Sequence, residues 1–292
     1  MGKASRSLLP FDNRPLTLYN IGKESTPKEP PAMTNQRIVV KIGTSTLAHP
    51  SGLLNIRRVE ELCKVLSDLK NAGHEILLVS SGAIGMGVGK LSLASRPEDV
   101  PTKQAAAAVG QCELMYTYDK AFSEHNHTVA QILLTAADLD HADRFENFRN
   151  TMKRLLELKV LPIVNENDTV ATEELGIGDN DTLAAVVAVS MEADLLILLS
   201  DIDGLYTADP HTHPDAVLIE EIPELTRAIW DLAGGAGSGL GTGGMATKLQ
   251  AASICTEAGC DMIIANGADP KRLYDIAEGR PVGSRFRGKR GK

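Results

Sequence analysis

The sequence predicts an α/β protein, a three-layer αβα sandwich around a mainly parallel sheet. Hydrophobic residues make up 43% of the 292 positions but aromatic residues only 4%, so Leu, Ile, Val and Ala must form the core. That composition is typical of buried parallel strands covered by helices. Short apolar segments also alternate with longer segments whose apolar residues recur at helical spacing. Small or polar residues follow the apolar segments, at the end of the strands where such sheets bind ligands.

The regular pattern begins near Arg37. Residues 38–42 are predicted to form a buried strand that runs into Gly43, and residues 56–72 an amphipathic helix that Gly73 terminates. The same alternation continues along the chain. We predict further strands at 76–79, 129–134, 160–164, 195–199 and 262–265, and helices at 103–124, 142–158, after 180–181 and at 246–258.

The two ends of the chain depart from this pattern. Residues 1–35 are polar, rich in proline and without sustained periodicity, so we expect a disordered N-terminal extension. Residues 285–292 contain basic but no acidic side chains, and we expect a solvated basic tail with no further domain. Residues 36–284 would then form one folded domain.

The bulk properties exclude several classes of function. The formal net charge of −8 argues against nucleic acid as the main partner, because phosphate backbones bind basic surfaces. No apolar segment reaches the roughly 18 residues that a membrane span needs, and no signal peptide is evident at the N-terminus. We therefore expect a cytoplasmic protein that acts on small molecules, with neither nucleic acid nor membrane as a partner.

The most glycine-rich segment, residues 234–244, runs towards Lys248. Within it, Gly239, Gly241 and Gly244 match the spacing of a dinucleotide fingerprint, but that fingerprint must follow a buried strand and this segment follows a helix-like region. The sequence also lacks the P-loop motif. What remains is a glycine loop entering a helix with a lysine one turn inside, which is typical of phosphate binding. A mobile surface loop is the alternative.

A second lysine, Lys41, interrupts the apolar strand at 38–42. A lysine in a buried strand is costly unless it meets an anion, and with Gly43 nearby, phosphate contact explains it better than an ammonium that reaches to solvent. Two lysines from opposite ends of the sequence could neutralise a transferring phosphoryl group. The two ammonium groups would repel each other unless a carboxylate lay between them. Asp181 at the start of a helix is a candidate, although helix N-capping explains it equally well.

Six short segments carry small, polar or charged residues at the predicted ends of strands or starts of helices. They are 41–45 (Lys-Ile-Gly-Thr-Ser), 80–83 (Ser-Ser-Gly-Ala), 165–168 (Asn-Glu-Asn-Asp), 178–181 (Gly-Asp-Asn-Asp), 200–210 (beginning Ser-Asp) and 241–248 (Gly-Thr-Gly-Gly-Met-Ala-Thr-Lys). In this order the segments resemble the amino acid kinase superfamily, and the resemblance covers about residues 37–284. Two of them, 165–168 and 241–248, resemble the members that phosphorylate glutamate.

The resemblance implies an amino acid kinase-like fold and the use of ATP, with Mg²⁺ carried by the ATP phosphates and no metal site of the protein itself. It implies L-glutamate as the acceptor, γ-glutamyl phosphate as the product, and the first step of proline biosynthesis with proline as an inhibitor. A carboxylate nucleophile is already deprotonated at neutral pH, which agrees with the absence of histidine from the six segments. We also expect a homo-oligomer.

The resemblance also implies a role for each matching residue. Lys41 and Lys248 would stabilise the transferring phosphoryl group, with Asp181 positioning them as the third catalytic residue. The nucleotide would bind the C-terminal half and the acceptor the N-terminal half. The substrate-binding residues would be Ser81, Gly82, Asn165, Asp168, Asp179 and Asn180. The ATP-binding residues would be Lys41, Gly43, Ser200, Asp201, Thr242, Gly243, Gly244, Met245, Ala246, Thr247 and Lys248.

Three alternatives stay open. Another member of the superfamily could act on acetylglutamate, aspartate, carbamate or UMP. The acids and carboxamides at 165–168 and 179–181 suit a free α-amino group, whereas a site for a nucleotide phosphate would require arginines at these positions. A non-catalytic amino-acid sensor would keep the fold but tolerate loss of Lys41 or Lys248, and both are present. A dinucleotide-dependent dehydrogenase is disfavoured by the context of the glycine segment.

Overall fold

The structure is a computed structural model that describes residues 35–49, 53–171, 180–233 and 244–289. The predicted disordered extension, residues 1–35, lies outside the described residues except for Asn35. Three predicted site residues, Asp179, Thr242 and Gly243, also lie outside them.

The strands of the described residues form one sheet. They are β1 (Arg37–Ile42), β2 (Glu75–Ser80), β3 (Val129–Leu134), β4 (Leu161–Glu166), β5 (Leu195–Ser200), β6 (Glu221–Ile222), β7 (Asp261–Asn266) and β8 (Ser284–Phe286). Their order across the sheet is β3-β4-β2-β1-β5-β7-β8-β6. Every neighbouring pair is parallel except β7 with β8. The predicted mainly parallel sheet is therefore confirmed.

Helices cover both faces of this sheet. They are α1 (Thr44–Leu47), α2 (Ile56–Asn71), α3 (Ala83–Lys90), α4 (Val100–Ser123), α5 (Ala136–Asp140), α6 (Ala142–Glu157), α7 (Asn180–Ser190), α8 (Arg227–Leu232), α9 (Met245–Glu257) and α10 (Arg272–Ala277). Of these helices, all within the described part of the chain, none is long and apolar enough to cross a membrane.

The hydrophobic core consists of two clusters, one on each face of the sheet. Successive side chains of a strand point to opposite faces, so Val39 of β1 lies in one cluster and its neighbours Ile38 and Val40 lie in the other. Helices α6, α7 and α9 pack on the face of Val39, and α2, α4 and α10 pack on the opposite face. This arrangement confirms the predicted αβα sandwich.

The predicted strands and long helices agree with the observed ones to within a few residues. The short elements α1, α3, α5, α10, β6 and β8 were not predicted. Helix α3 is hard to find from local sequence because Gly85, Gly87 and Gly89 lower its intrinsic helix propensity. It forms because it packs against α4.

The contact between α3 and α4 brings the two backbones together. A Cβ atom on Gly87 would lie 1.8 Å from the carbonyl oxygen of Ala106, and one on Gly110 would lie 1.8 Å from the carbonyl oxygen of Ala83. Only glycine fits at such distances. The approach places the turn of α4 that contains Gly110 beside the first residue of α3.

The C-terminal segment corrects one prediction. A solvated basic tail was expected from Arg285, but Ser284–Phe286 is strand β8, and Phe286 is completely buried. The guanidinium groups of Arg285 and Arg287 both bond the Asp261 carboxylate, at 2.9 and 3.2 Å. The prediction is therefore wrong for the first residues of the tail, because β8 joins the sheet and Arg285 and Arg287 pair with one acid, Asp261, at the start of β7.

Candidate active site

A cavity of about 320 Å³ opens at the carboxyl ends of β1, β2, β4 and β5. In a parallel sheet this edge collects the residues that follow each strand, and it is where ligands bind. Most predicted site residues that the structure describes meet there. The lining includes Lys41, Gly43, Ser81, Gly82, Asn165, Asp168, Asn180, Asp181, Ser200, Asp201 and Lys248.

Two lysines and one aspartate form the centre of the cavity. The ammonium of Lys41 lies 2.5 Å from Oδ1 of Asp181, and that of Lys248 lies 3.1 Å from Oδ2. Asp181 is only 1% exposed and Lys248 6%. Burial by itself would raise the pKa of Asp181, but the charges and hydrogen bonds of the two lysines outweigh it and hold the pKa below its ordinary value. The carboxylate therefore stays ionised between the lysines.

The fold explains why these three residues meet. Lys41 is the fifth residue of β1 and Asp181 the second of α7, which packs on β1. Lys248 lies in the first turn of α9, which packs on α7. Thr247 adds to the cluster, with its hydroxyl 2.8 Å from the carbonyl oxygen of Gly244 and 3.4 Å from Oδ2 of Asp181. Asp181 therefore links the N-terminal and C-terminal parts of the site.

A hydrogen-bonded group of polar side chains lies on the β2 and β4 side of this cluster. Nδ2 of Asn180 lies 2.6 Å from Oγ of Ser81, 3.0 Å from Oδ1 of Asn165 and 3.0 Å from the carbonyl oxygen of Ser80. Its two hydrogens are donated to Asn165 and Ser80, whose oxygens can only accept. Gly82 has a φ of +107°, the left-handed conformation that glycine adopts without strain, and it begins α3 directly after Ser81. The turn therefore presents Ser81 to the cavity.

Asp168 follows β4 and completes this side of the cavity. Burial raises the pKa of its carboxyl group, and the positive charge of Arg96 partly opposes that shift. Arg96 lies in the connection between α3 and α4, and it also lines the cavity. The sequence analysis missed this arginine, because no motif surrounds it and only the tertiary structure brings it to Asp168.

The β5 side of the cavity carries the remaining predicted residues. Oγ of Ser200, the last residue of β5, donates to Oδ1 of the following residue, Asp201, at 3.0 Å. A Cβ atom on Gly43 would lie 3.7 Å from the ammonium of Lys41, so glycine keeps the space beside that charge open. Gly244, Met245 and Ala246 form the N-cap and first two residues of α9, next to Lys248 but outside the cavity lining.

The strand order separates the two groups of residues. β2 and β4 lie on one side of β1 and carry Ser81, Asn165 and Asp168, whereas β5 lies on the other side and carries Ser200. Lys41 on β1 lies between them. The geometry thus offers a polar pocket on the β2 and β4 side, further polar groups on the β5 side, and two ammonium groups, which attract anions, at the junction.

Comparisons of the sequence place it among known proteins. The chain matches the amino acid kinase family over residues 36–266. It is 51% identical over 262 residues to a glutamate 5-kinase of Clostridium perfringens (strain 13 / Type A), in a match that covers 88% of this chain and 97% of that protein. It is 53% identical over 251 residues to a glutamate 5-kinase of Clostridium tetani (strain Massachusetts / E88), covering 86% of this chain and 94% of that protein.

Solved structures share the fold at much lower sequence identity. Carbamate kinase from Giardia lamblia bound to AMP-PNP superposes with a TM-score of 0.63 at 18% identity, over 88% of this chain and 100% of that one. The product complex of T. acidophilum isopentenyl phosphate kinase superposes with a TM-score of 0.60 at 19% identity, over 86% of this chain and 100% of that one. At these identities the similarity is one of fold.

Proposed function

The chain belongs to the amino acid kinase family, and from this premise we propose that it transfers the γ-phosphoryl group of ATP to the γ-carboxylate of L-glutamate. The products are γ-glutamyl phosphate and ADP, in the first step of proline biosynthesis. Relatives that share half of its residues over nearly their whole length are glutamate 5-kinases. The observation that carries the proposal is the buried cluster of Lys41, Asp181 and Lys248 at the junction of the two halves of the cavity.

The reaction needs alignment and positive charge more than proton transfer. An oxygen of the γ-carboxylate attacks the γ-phosphorus, a new P–O bond forms, and the bond to the β-phosphate oxygen breaks as ADP leaves. The carboxylate is ionised at neutral pH, so no base is required. Lys41 and Lys248 neutralise charge on the equatorial phosphoryl oxygens, and Asp181 keeps both ammonium groups at the transfer point.

The acceptor side suits a free amino acid. Asp168 supplies a carboxylate for the α-ammonium group, and the Ser81 hydroxyl and the carboxamide of Asn180 supply neutral hydrogen-bonding groups. Asn165 holds the Asn180 carboxamide in place by accepting a hydrogen bond from it. A nucleoside monophosphate would bring a phosphate next to the Asp168 carboxylate, which repels it, and the positive charge of Arg96 in this lining already has Asp168 as its neighbouring counter-charge. This arrangement favours glutamate over UMP.

The nucleotide side suits a triphosphate. Gly43 leaves room beside the Lys41 ammonium, and Ser200 and Asp201 provide polar groups at the end of β5. Each oxygen of the Asp181 carboxylate pairs with a lysine ammonium, so this carboxylate is poorly placed to coordinate a metal ion. We therefore propose that Mg²⁺ reaches the site on the ATP phosphates and neutralises part of their charge.

The proposal is tested by the choice of acceptor. ADP release is measured with glutamate, aspartate, acetylglutamate, carbamate and UMP side by side, and hydroxylamine is added to trap any acyl phosphate as a hydroxamate. We expect turnover and a hydroxamate with glutamate. Turnover with UMP alone, or binding of glutamate and ATP without ADP release, would show a different kinase or a sensor.

We also propose that proline inhibits by binding in the glutamate pocket. Proline has an α-carboxylate and a positively charged nitrogen that Asp168 can bind, but no γ-carboxylate to accept the phosphoryl group. Asp168→Ala should weaken glutamate and proline together, by about 10- to 100-fold, since it removes a charged hydrogen bond of about 1–3 kcal/mol. Glutamate saturation curves at several proline concentrations measure both constants.

The control for this variant is Asp215→Ala, which changes an exposed aspartate outside the cavity lining. It should leave both constants within twofold. Because burial raises the pKa of Asp168, acidification should also raise KM for glutamate in the wild type at a higher pH than an exposed aspartate would allow. Inhibition that saturating glutamate fails to relieve would place proline at a separate site.

A further inference from the structure

We infer that Gln111, on α4 behind the cavity wall, is a positioning residue that holds the carboxamides of Asn165 and Asn180 in place in the acceptor pocket. Its side-chain oxygen Oε1 accepts a hydrogen bond of 2.9 Å from Nδ2 of Asn165, and both residues are buried, at 8% and 1% exposed. This inference rests on the proposed function, since it concerns how that pocket holds its acceptor. Nothing in the motifs of the sequence pointed to Gln111.

The first step is the orientation of the Asn165 carboxamide. The backbone N–H of Glu166 donates to Oδ1 of Asn165 at 2.9 Å, and a backbone N–H can only be a donor. That bond identifies Oδ1 as the oxygen and turns Nδ2 of Asn165 towards α4. Nδ2 then requires an acceptor inside the protein, and Oε1 of Gln111 is the acceptor it meets.

The second step is the orientation of Asn180. Its Nδ2 donates to the carbonyl oxygen of Ser80 and to Oδ1 of Asn165, both of which can only accept. These two bonds use both hydrogens of Nδ2, and Oγ of Ser81 lies 2.6 Å from the same nitrogen. An amide nitrogen does not accept hydrogen bonds, so the proton of the Ser81 hydroxyl points away from Asn180 and can be donated to a ligand.

The result is a pocket of defined polarity. The Ser81 hydroxyl can donate a hydrogen bond to a carboxylate of the ligand. The side-chain oxygen of Asn180 can accept a hydrogen bond from an ammonium group. Gln111 supports this polarity through Asn165, because it accepts from the Nδ2 that the Glu166 bond turns towards α4. If the acceptor at Gln111 is lost, Nδ2 of Asn165 is left buried without that partner; the carboxamide shifts to recover one, and Asn180, which is bonded to its Oδ1, shifts with it.

The fold holds Gln111 firmly in this position. Its neighbour Gly110 lies against the carbonyl oxygen of Ala83, where a Cβ atom would come within 1.8 Å. This contact brings α4 close to the turn that carries Ser81 and Gly82. Among the described residues, Asn165, Asn180 and Ser81 line the cavity and Gln111 does not, so it acts on a ligand only through them.

The test compares variants that keep or remove the acceptor. Gln111→Met has a similar volume but no oxygen, and Gln111→Asn keeps the amide but is too short to reach Asn165. We expect each to raise KM for glutamate by about tenfold or more while KM for ATP stays within twofold. Gln111→Glu keeps an oxygen in place and should restore KM for glutamate to within about threefold of the wild type.

Leu114→Ala is the matched control, since Leu114 is buried on the same helix but its side chain packs in the hydrophobic core and has no hydrogen-bonding group. It should lower the melting temperature without changing KM for glutamate. The inference is overturned if folded Gln111→Met or Gln111→Asn keeps a normal KM, if Gln111→Glu behaves as they do, or if Leu114→Ala reproduces their effect. If wild type turns over a different acceptor, the proposed function fails, and the same comparison of KM for that acceptor still tests Gln111.

Discussion

We expect Lys41→Met and Lys248→Met each to lower kcat by about 100-fold or more and to leave the fold intact. The two lysines and Asp181 together carry a net charge of +1 at the transfer point, and removing either lysine brings it to zero. The lost charge matters most in the transition state, when the phosphoryl group leaves ADP for the acceptor. A 100-fold loss corresponds to about 2.7 kcal/mol of transition-state stabilisation.

Steady-state kinetics and circular dichroism on the same preparations measure this effect. Lys271→Met is the matched control, because Lys271, the exposed N-cap residue of α10, pairs with Glu61 of α2 and lies outside the cavity lining. It should keep a normal kcat. Near-normal turnover in a folded Lys41→Met or Lys248→Met variant would remove the replaced lysine from the mechanism.

Asp181→Asn should also lower kcat by about 100-fold, although it makes the site more positive. The variant raises the net charge of the three groups from +1 to +2, so a purely electrostatic role would predict faster transfer. We expect slower transfer because the two ammonium groups repel each other and leave the positions in which Asp181 holds them, 2.5 and 3.1 Å from its oxygens.

The same change separates a positioning role from a binding role. If Asp181 positions the lysines, kcat falls and KM for glutamate changes little; a rise in KM alone would make Asp181 a substrate ligand. The variant should also lose about 1–3 kcal/mol of stability, since two ammonium groups lose a buried partner. In the wild type the pKa of Asp181 is depressed, so this contribution is present at neutral pH and is lost only as the pH falls below the ordinary aspartate range.

Much of the fold follows from local sequence. β1 and β5 are short and apolar apart from Lys41 and the terminal polar residues, so their length and the residues that flank them indicate buried strands. α2 and α6 each have one apolar face at helical spacing, so periodicity indicates their type. The short elements were missed for a corresponding reason. α3 contains three glycines and β8 is three residues long, so each depends on the element that it packs against.

In the candidate site, too, the sequence predicts some residues, whereas the tertiary structure determines the partners of those residues. Lys41 in an apolar strand and Lys248 in the first turn after a glycine loop are anomalies that the sequence shows by itself, because a buried charge requires an anion. Ser81 and Asn165 are predictable from their place at the ends of strands.

The partners of these residues were decided by the tertiary structure. Arg96 lies near Asp168, and Gln111 lies 54 positions from Asn165, and no local pattern relates the members of either pair. Asp181 could equally have capped its helix, and it bridges two lysines because α7 packs on both β1 and α9. Local sequence determines which charges and amides the core must accommodate; long-range packing determines which partner satisfies each of them, since the energy of a buried polar group depends on its neighbours in space.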